Sequence, residues 1–245
     1  MTERVLFSNS RKLSLVGLLS VVDSEKIVVF AHGFTGDKYE HGRFIRIAQV
    51  LNAAGISTLL FDFSGSGESD DDLLLVKNQV DDLSCALDFV QEKGFSRIGL
   101  YGHSLGGLVC FYSDLSQIKT IVASAPVCAQ TSSYEKKRMD KYVLVDGMYE
   151  RHRSDDVRKV IRISPELFVE REQVDQESLL QNVSCPVFII HGKADDAVPF
   201  ENSMSAMQYL SSDSELLLVD DMTHDTYADY DFVLGRIVSW YNTHI

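Results

Sequence analysis

The sequence predicts an α/β protein: a mostly parallel sheet of eight strands, helices on both faces, and one inserted segment that reads as a lid. Three observations lead there. Short apolar runs alternate with segments of helical period along most of the chain. A serine flanked by glycines stands directly between one such run and one such helix. Between Pro126 and Pro186 the alternation stops, and a charged stretch dotted with aromatics intervenes that is too long for a connecting loop. The predicted division is a core of residues 1–126 and 186–245, with residues 127–185 inserted above the carboxyl ends of the strands, where open α/β sheets bind ligands.

The elements follow in order. Residues 3–7 and 12–22 read as an antiparallel pair. Ile27 to Ala31 is a continuous apolar run, as expected of a strand covered on both faces. Phe44, Ile45, Ala48, Leu51 and Ala54 fall near helical spacing, and Gly55 stops them. Ile56 to Phe61 is the next strand. Val80, Leu83, Leu87 and Val90 share a helical face ending before Gly94. Arg97 to Tyr101 is a strand and Leu105 to Tyr112 a helix. Lys119 to Ala123, Pro186 to Ile190 and Glu215 to Val219 supply further strands, and residues 203–210 and 226–241 further helices. The inserted stretch reads as mostly helical.

Composition narrows the function. At 45% hydrophobic and 24% charged residues, the chain can bury a core, which excludes disordered and fibrous classes. A formal charge of −13 is poorly suited to tracking phosphate backbones, so no nucleic-acid partner is expected. No apolar run reaches the roughly 18 residues of a membrane span, and residues 1–10 lack the apolar centre of a signal peptide. Cys85, Cys110, Cys128 and Cys185 form no C-x-x-C pair, and Cys85 and Cys110 read as buried free thiols. A cytoplasmic protein without stable membrane insertion is the expectation. A homodimer is compatible with the sequence.

The chemistry is carried by Gly102-His103-Ser104-Leu105-Gly106, a G-x-S-x-G segment between strand and helix. Such a turn is so tight that the serine takes a strained backbone conformation and only glycines fit two residues before and after it. A serine hydroxyl is a poor nucleophile near neutral pH. It needs an imidazole to take its proton and a carboxylate to orient that imidazole. With such an elbow the acid and then the histidine follow along the chain. Asp195, in the loop after PVFII, and His224, after ELLLV, fit that order on successive strand ends. Asp196 and Asp225 are the rival carboxylates. His32 and His191 precede glycines at strand ends and read as structural; the side chain of His103 should leave the elbow in another direction. Acyl transfer also needs fixed N–H donors for the developing oxyanion. The backbone amides of Phe34, in His32-Gly33-Phe34-Thr35-Gly36, and of Leu105 fill that role.

These motifs carry a resemblance. HGFTG, FDFSGSGES (Phe61 to Ser69), GHSLGG, HGKADDAVP and the late His224 fall in the order found in serine hydrolases of the α/β-hydrolase fold, over nearly the whole chain. HGFTGDK and FDFSGSGES further resemble the feruloyl (cinnamoyl) esterases and their monoacylglycerol-lipase-like relatives. That group often has Asn or Arg then Gly-His-Gly after FDF, where this chain has Ser64-Gly65-Ser66-Gly67. It has Met222-Thr223-His224 rather than Gly-or-Ala-x-His. These departures bear on the substrate and not on the fold. The resemblance implies a serine carboxylesterase acting on a small-molecule ester, with neither metal nor cofactor. Aminopeptidase-like amidase, monoacylglycerol lipase and thioesterase activities, and a non-catalytic ligand receptor, remain open alternatives. Asp62 reads as structural, and Ser69-Asp70-Asp71-Asp72 as a solvated loop rather than a cation site.

The inserted segment is locally cationic. Residues 128–164 hold nine Lys and Arg against six Asp and Glu, a net of +3 in a chain of −13. Most of these charges read as solvated surface. The sharper expectation is that one or two cations face the pocket and attract an anionic or phenolic acyl group, with Tyr134, Tyr142, Tyr149 and Phe168 as apolar walls.

Overall fold

A computed structural model describes residues 2–130, 142–152, 158 and 160–245. The main sheet has eight strands: β1 (Thr2–Ser8), β2 (Ser14–Ser20), β3 (Lys26–Ala31), β4 (Ser57–Phe61), β5 (Arg97–His103), β6 (Ile118–Ser124), β10 (Val187–Gly192) and β11 (Glu215–Val219). Their spatial order is β1-β2-β4-β3-β5-β6-β10-β11. β1 and β2 pair antiparallel, as do β2 and β4; the other neighbours are parallel.

The central strands are apolar on both faces because helices cover both. In β3, Val28 and Phe30 enter one core with α1 (Arg43–Ala53) and α7 (Asp231–His244). Ile27, Val29 and Ala31 enter the other, with α2 (Val76–Glu92) and α3 (Leu105–Tyr112). This is the two-residue period of a strand read out on two layers. Each such Val, Ile or Phe contributes about 1.5–3 kcal/mol through its burial.

Four sequence expectations need correction. The first concerns residues 127–185. Its described residues are not mostly helix: they begin with a small antiparallel sheet of β7 (Val143–Val145), β8 (Met148–His152) and β9 (Val160–Ile163). Only then come α4 (Glu166–Glu172) and α5 (Gln176–Gln181). The reason is local: Asp146 and Gly147 both take positive φ, 48° and 79°, the backbone of a two-residue hairpin turn. The second concerns the last helix. Residues 226–230 are not helical, Tyr227 and Ala228 form a buried turn, and α7 begins at Asp231. α6 (Phe200–Ala206) starts directly after Pro199. Of the cysteines, Cys110, Cys128 and Cys185 are buried, whereas Cys85 is only half-buried. Among the described residues no helix is long and apolar enough to cross a membrane.

The strand ends bring the loops together. Ala31 of β3 pairs with Gly102 of β5, which sets the His32-Gly33-Phe34 loop beside the turn at Ser104. A Cβ on Gly33 would lie 3.4 Å from that of Ser104. At the other edge Gly192 pairs with Val219, and the Ala194 N–H donates to Met222 O at 3.2 Å, so the loops after β10 and β11 are joined.

Candidate active site

Ser104 stands between β5 and α3 with φ 52° and ψ −115°. Side chains rarely adopt this backbone, and here packing enforces it. A Cβ at Gly102 would lie 2.8 Å from Gly106 O and from Gly107 Cα. One at Gly106 would overlap the carbonyl of Ala31. The clash at 106 is therefore with the neighbouring strand end and not with residue 102.

The Asp195 side chain is buried after β10 and both its carboxylate oxygens have donors. Oδ1 accepts the N–H groups of Ala197 (2.7 Å) and Val198 (2.8 Å). Oδ2 accepts from His224 Nδ1 at 2.7 Å and faces His191 Nε2 at 3.1 Å. Burial alone would raise the pKa of this carboxyl. The hydrogen bonds from His191 and His224 outweigh that and hold it well below the usual carboxylate range. Asp196 and Asp225 do not take this place: Asp196 is exposed, and Asp225 turns to Arg43 at 3.1 Å.

Ser104 and His224 line one cavity of about 210 Å³. No hydrogen bond joins them in this structure, a gap common before substrate enters a site. Phe34 also lines the cavity, and Leu105 is the first residue of α3. Neither the Phe34 nor the Leu105 N–H has an acceptor among the described residues.

His191 reads as structural from the sequence and makes structural hydrogen bonds here; what sequence reading missed is its contact with Asp195. Its Nε2 faces two acceptors, Asp195 Oδ2 and Val198 O, both at 3.1 Å, so this nitrogen carries the proton. Its Nδ1 then accepts from Ser203 Oγ at 2.7 Å. Its place four residues before Asp195 was the available signal.

The His103 side chain bonds to Ser124 and also lines the cavity. Its Nδ1 lies 3.0 Å from Ser124 Oγ, and its ring packs on His224 (4.8 Å between centroids) and Tyr227 (4.5 Å). Burial, then the nearby His224 and Arg43, lower its pKa well below the ordinary value of 6.5. In the unfolded chain this histidine takes up a proton near pH 6.5; in the folded chain it does not. Its contribution to stability is therefore present above about pH 6.5 and declines as pH falls, by up to ~1.4 kcal/mol per pH unit. Urea unfolding between pH 5 and 7 should show this slope, and His103→Phe should flatten it. An unchanged slope in that variant would contradict the assignment.

Other sequence-selected residues hold the frame. His32 accepts the Phe63 N–H on Nε2 at 3.2 Å and donates from Nδ1 to Gly33 O at 3.0 Å. Asp62 binds Lys38 Nζ at 2.6 Å and the N–H groups of Lys38 (2.7 Å) and Glu68 (2.9 Å). Burial disfavours the charge on Lys38, but Asp62 outweighs it and keeps the ammonium protonated. The acidic run after Ser69 is engaged rather than merely solvated: Asp70 accepts the Ser14 N–H (2.7 Å), Asp71 pairs with Arg158 (2.8 Å) and Asp72 with Arg11 (3.2 Å).

The inserted segment contributes Tyr142, Arg151, Phe168 and Arg171 to the cavity wall. Arg151 also donates to the Thr35 hydroxyl. Burial lowers Arg171 to about 10, which still leaves it cationic near neutral pH. Tyr149 packs on Phe168 with ring centroids 5.6 Å apart and is not among the lining residues. Of the nine cations singled out, Arg151 faces the cavity and Arg158 turns to Asp71 and Ser69. Arg162 lies in β9, where its carbonyl accepts the Leu74 N–H at 3.0 Å. Lys136, Lys137, Arg138, Lys141, Arg153 and Lys159 lie outside the described residues, as does Tyr134.

With this geometry in hand, comparison with known proteins decides the family. The model of the family described as "serine aminopeptidase, S33" matches residues 23–145, half of the chain. The chain belongs to this hydrolase family. Among curated relatives of this member, a Mycoplasma genitalium protein named among the esterases and lipases is 30% identical over 136 residues, 54% of this chain and 47% of its own. The human mitochondrial palmitoyl-protein thioesterase ABHD10 is 26% identical over 211 residues, 80% of this chain and 66% of its own. The chain thus spans about half to two thirds of the length of these relatives. Among solved structures, the Pyrococcus furiosus esterase Pf2001 superposes with a TM-score of 0.79 at 19% identity, over 100% of this chain and 93% of that one. Est1E of Butyrivibrio proteoclasticus, solved with ferulic acid bound, gives 0.74 at 20% identity, over 98% and 96%. These similarities establish the α/β-hydrolase fold.

Proposed function

We propose that the protein is a serine carboxylesterase working through an acyl-enzyme. The observation that carries this reading is the meeting of three distant segments. A serine on a strained strand-to-helix turn opens on the same cavity as a histidine whose Nδ1 is held by a buried carboxylate. Ser104 Oγ attacks the ester carbonyl while its proton passes to His224. Asp195 orients the imidazole and balances its charge. The N–H groups of Phe34 and Leu105 receive the oxyanion. Collapse expels the alcohol, which takes the proton from His224. Water, deprotonated by His224, then attacks the acyl-Ser104 ester and releases the acid.

Residues 127–185 act as the lid, since Tyr142, Arg151, Phe168 and Arg171 line the same cavity as Ser104. A cavity of about 210 Å³ favours small to medium acyl groups. Carboxylic esters of the p-nitrophenyl series should be turned over, with kcat/KM falling once the acyl chain outgrows the cavity. Failure to cleave any ester of two to eight carbons, with turnover of acyl thioesters instead, would move the assignment to a thioesterase, the activity named for ABHD10.

Arg151 gives a further test. For an ester bearing a carboxylate on its acyl group, kcat/KM should fall with added salt, whereas a neutral analogue should respond little. Arg151→Gln should remove most of that difference. Equal salt response for the two substrates would end the idea that this cation selects anionic acyl groups.

A further inference from the structure

The loop carrying Phe34 follows β3, and the loop carrying His224 follows β11. Between these strands lie β5, β6 and β10, so the two loops start about 19 Å apart at the usual strand spacing. Beyond the sheet, a chain of charged side chains links the two loops.

It begins with Glu40, whose carboxylate is buried at 5% exposure. Glu40 Oε2 accepts the Gly33 N–H at 2.9 Å and lies against Gly36, where a Cβ would come within 2.6 Å of it. It thus holds the start of the Gly33–Gly36 turn that contains Phe34 and leaves no room for a side chain at its end. Glu40 Oε1 pairs with Arg43 at 3.3 Å. Arg43 reaches across to Asp225 at 3.1 Å and lies over the Tyr227 ring at 5.5 Å. Asp225 is the residue after His224, and Tyr227 supports the His103 ring that packs on His224.

The backbone is bent to build this chain. Glu40, His41 and Gly42 take consecutive positive φ values of 45°, 55° and 88°. Such a turn is costly for the two side-chain-bearing residues and persists only where the surroundings over-determine it. Here it faces the Glu40 carboxylate inward and starts α1 with Arg43 directed at the histidine loop.

We infer that Arg43 is a positioning residue: through Glu40 on one side and Asp225 with Tyr227 on the other, it fixes the distance between the Phe34 amide and His224. This rests on the proposed roles of Ser104, His224 and Phe34. Misplacement of reacting groups by about 1 Å is enough to cost up to ~100-fold in rate.

Arg43→Met should lower kcat about 10-fold or more, counted per site labelled by a fluorophosphonate, with KM changed less than about threefold. Arg43→Lys, which keeps the charge but loses the planar fork, should recover part of the loss. Asp225 is 68% exposed, so Asp225→Ala leaves folding intact and tests the strut even if Arg43→Met fails to fold. It should lower kcat about threefold or more, and in Arg43→Met the same change should add nothing further. Wild-type kcat per labelled site in both Arg43→Met and Asp225→Ala would overturn the inference. So would an effect confined to KM, which would make Arg43 a substrate contact. If Ser104→Ala itself remains active, it is the functional reading that has failed and not the strut.

Discussion

Ser104→Ala should lower kcat for p-nitrophenyl butyrate by ~10⁴-fold or more while leaving the fold in place. The two halves of that expectation have separate causes. Ser104 Oγ makes no hydrogen bond among the described residues, so its removal breaks no such interaction of the native state. Alanine keeps the Cβ, and with it the packing that enforces φ 52°. The change in stability should stay within ~0.5 kcal/mol. The activity has no such substitute. Without the hydroxyl no acyl-enzyme forms, and the remaining cavity offers only binding and the two amides. Retention of more than a tenth of the wild-type kcat, in protein free of wild-type traces, would refute the nucleophile assignment.

Asp195→Asn should cost about 10³–10⁴-fold in kcat with little change in shape. The geometry dictates why. Oδ1 is held by two backbone donors, the N–H groups of Ala197 and Val198 at 2.7 and 2.8 Å. The amide oxygen of an asparagine must take that position, which turns its NH₂ toward His224 and His191. His224 must then present an unprotonated Nδ1, so its proton moves to Nε2, the nitrogen that has to receive the proton of Ser104. His191 would be forced into the same reversal, against Val198 O and Ser203 Oγ. Wild-type kcat in Asp195→Asn would show that the carboxylate does not set the tautomer of His224. His191→Phe should reproduce part of this loss, since it removes one donor from Oδ2.

What could be read from the sequence divides along physical lines. The strands of the core were legible because a strand covered on both faces is apolar without interruption, as in Ile27 to Ala31. The candidate Ser104, Asp195 and His224 were legible because each lies at the end of such a strand in a short motif whose residue types are forced locally. The inserted segment was misread because its apolar residues are sparse and the decisive signal is one dipeptide, Asp146-Gly147, that closes a hairpin. The early start assigned to the last helix had another cause: Tyr227 and Ala228 match its period but form a buried turn. The Glu40–Arg43–Asp225 chain was invisible for a third reason. Its meaning lies in a contact between segments far apart along the chain, Arg43 with Asp225, and no local pattern reports such a contact.

Treatment with a fluorophosphonate, followed by peptide mass spectrometry, tests the central claim most directly. The account predicts one phosphonyl group per chain, on Ser104, with labelling slowed in Asp195→Asn. A folded chain that takes up no label, or takes it on a residue other than Ser104, would contradict it.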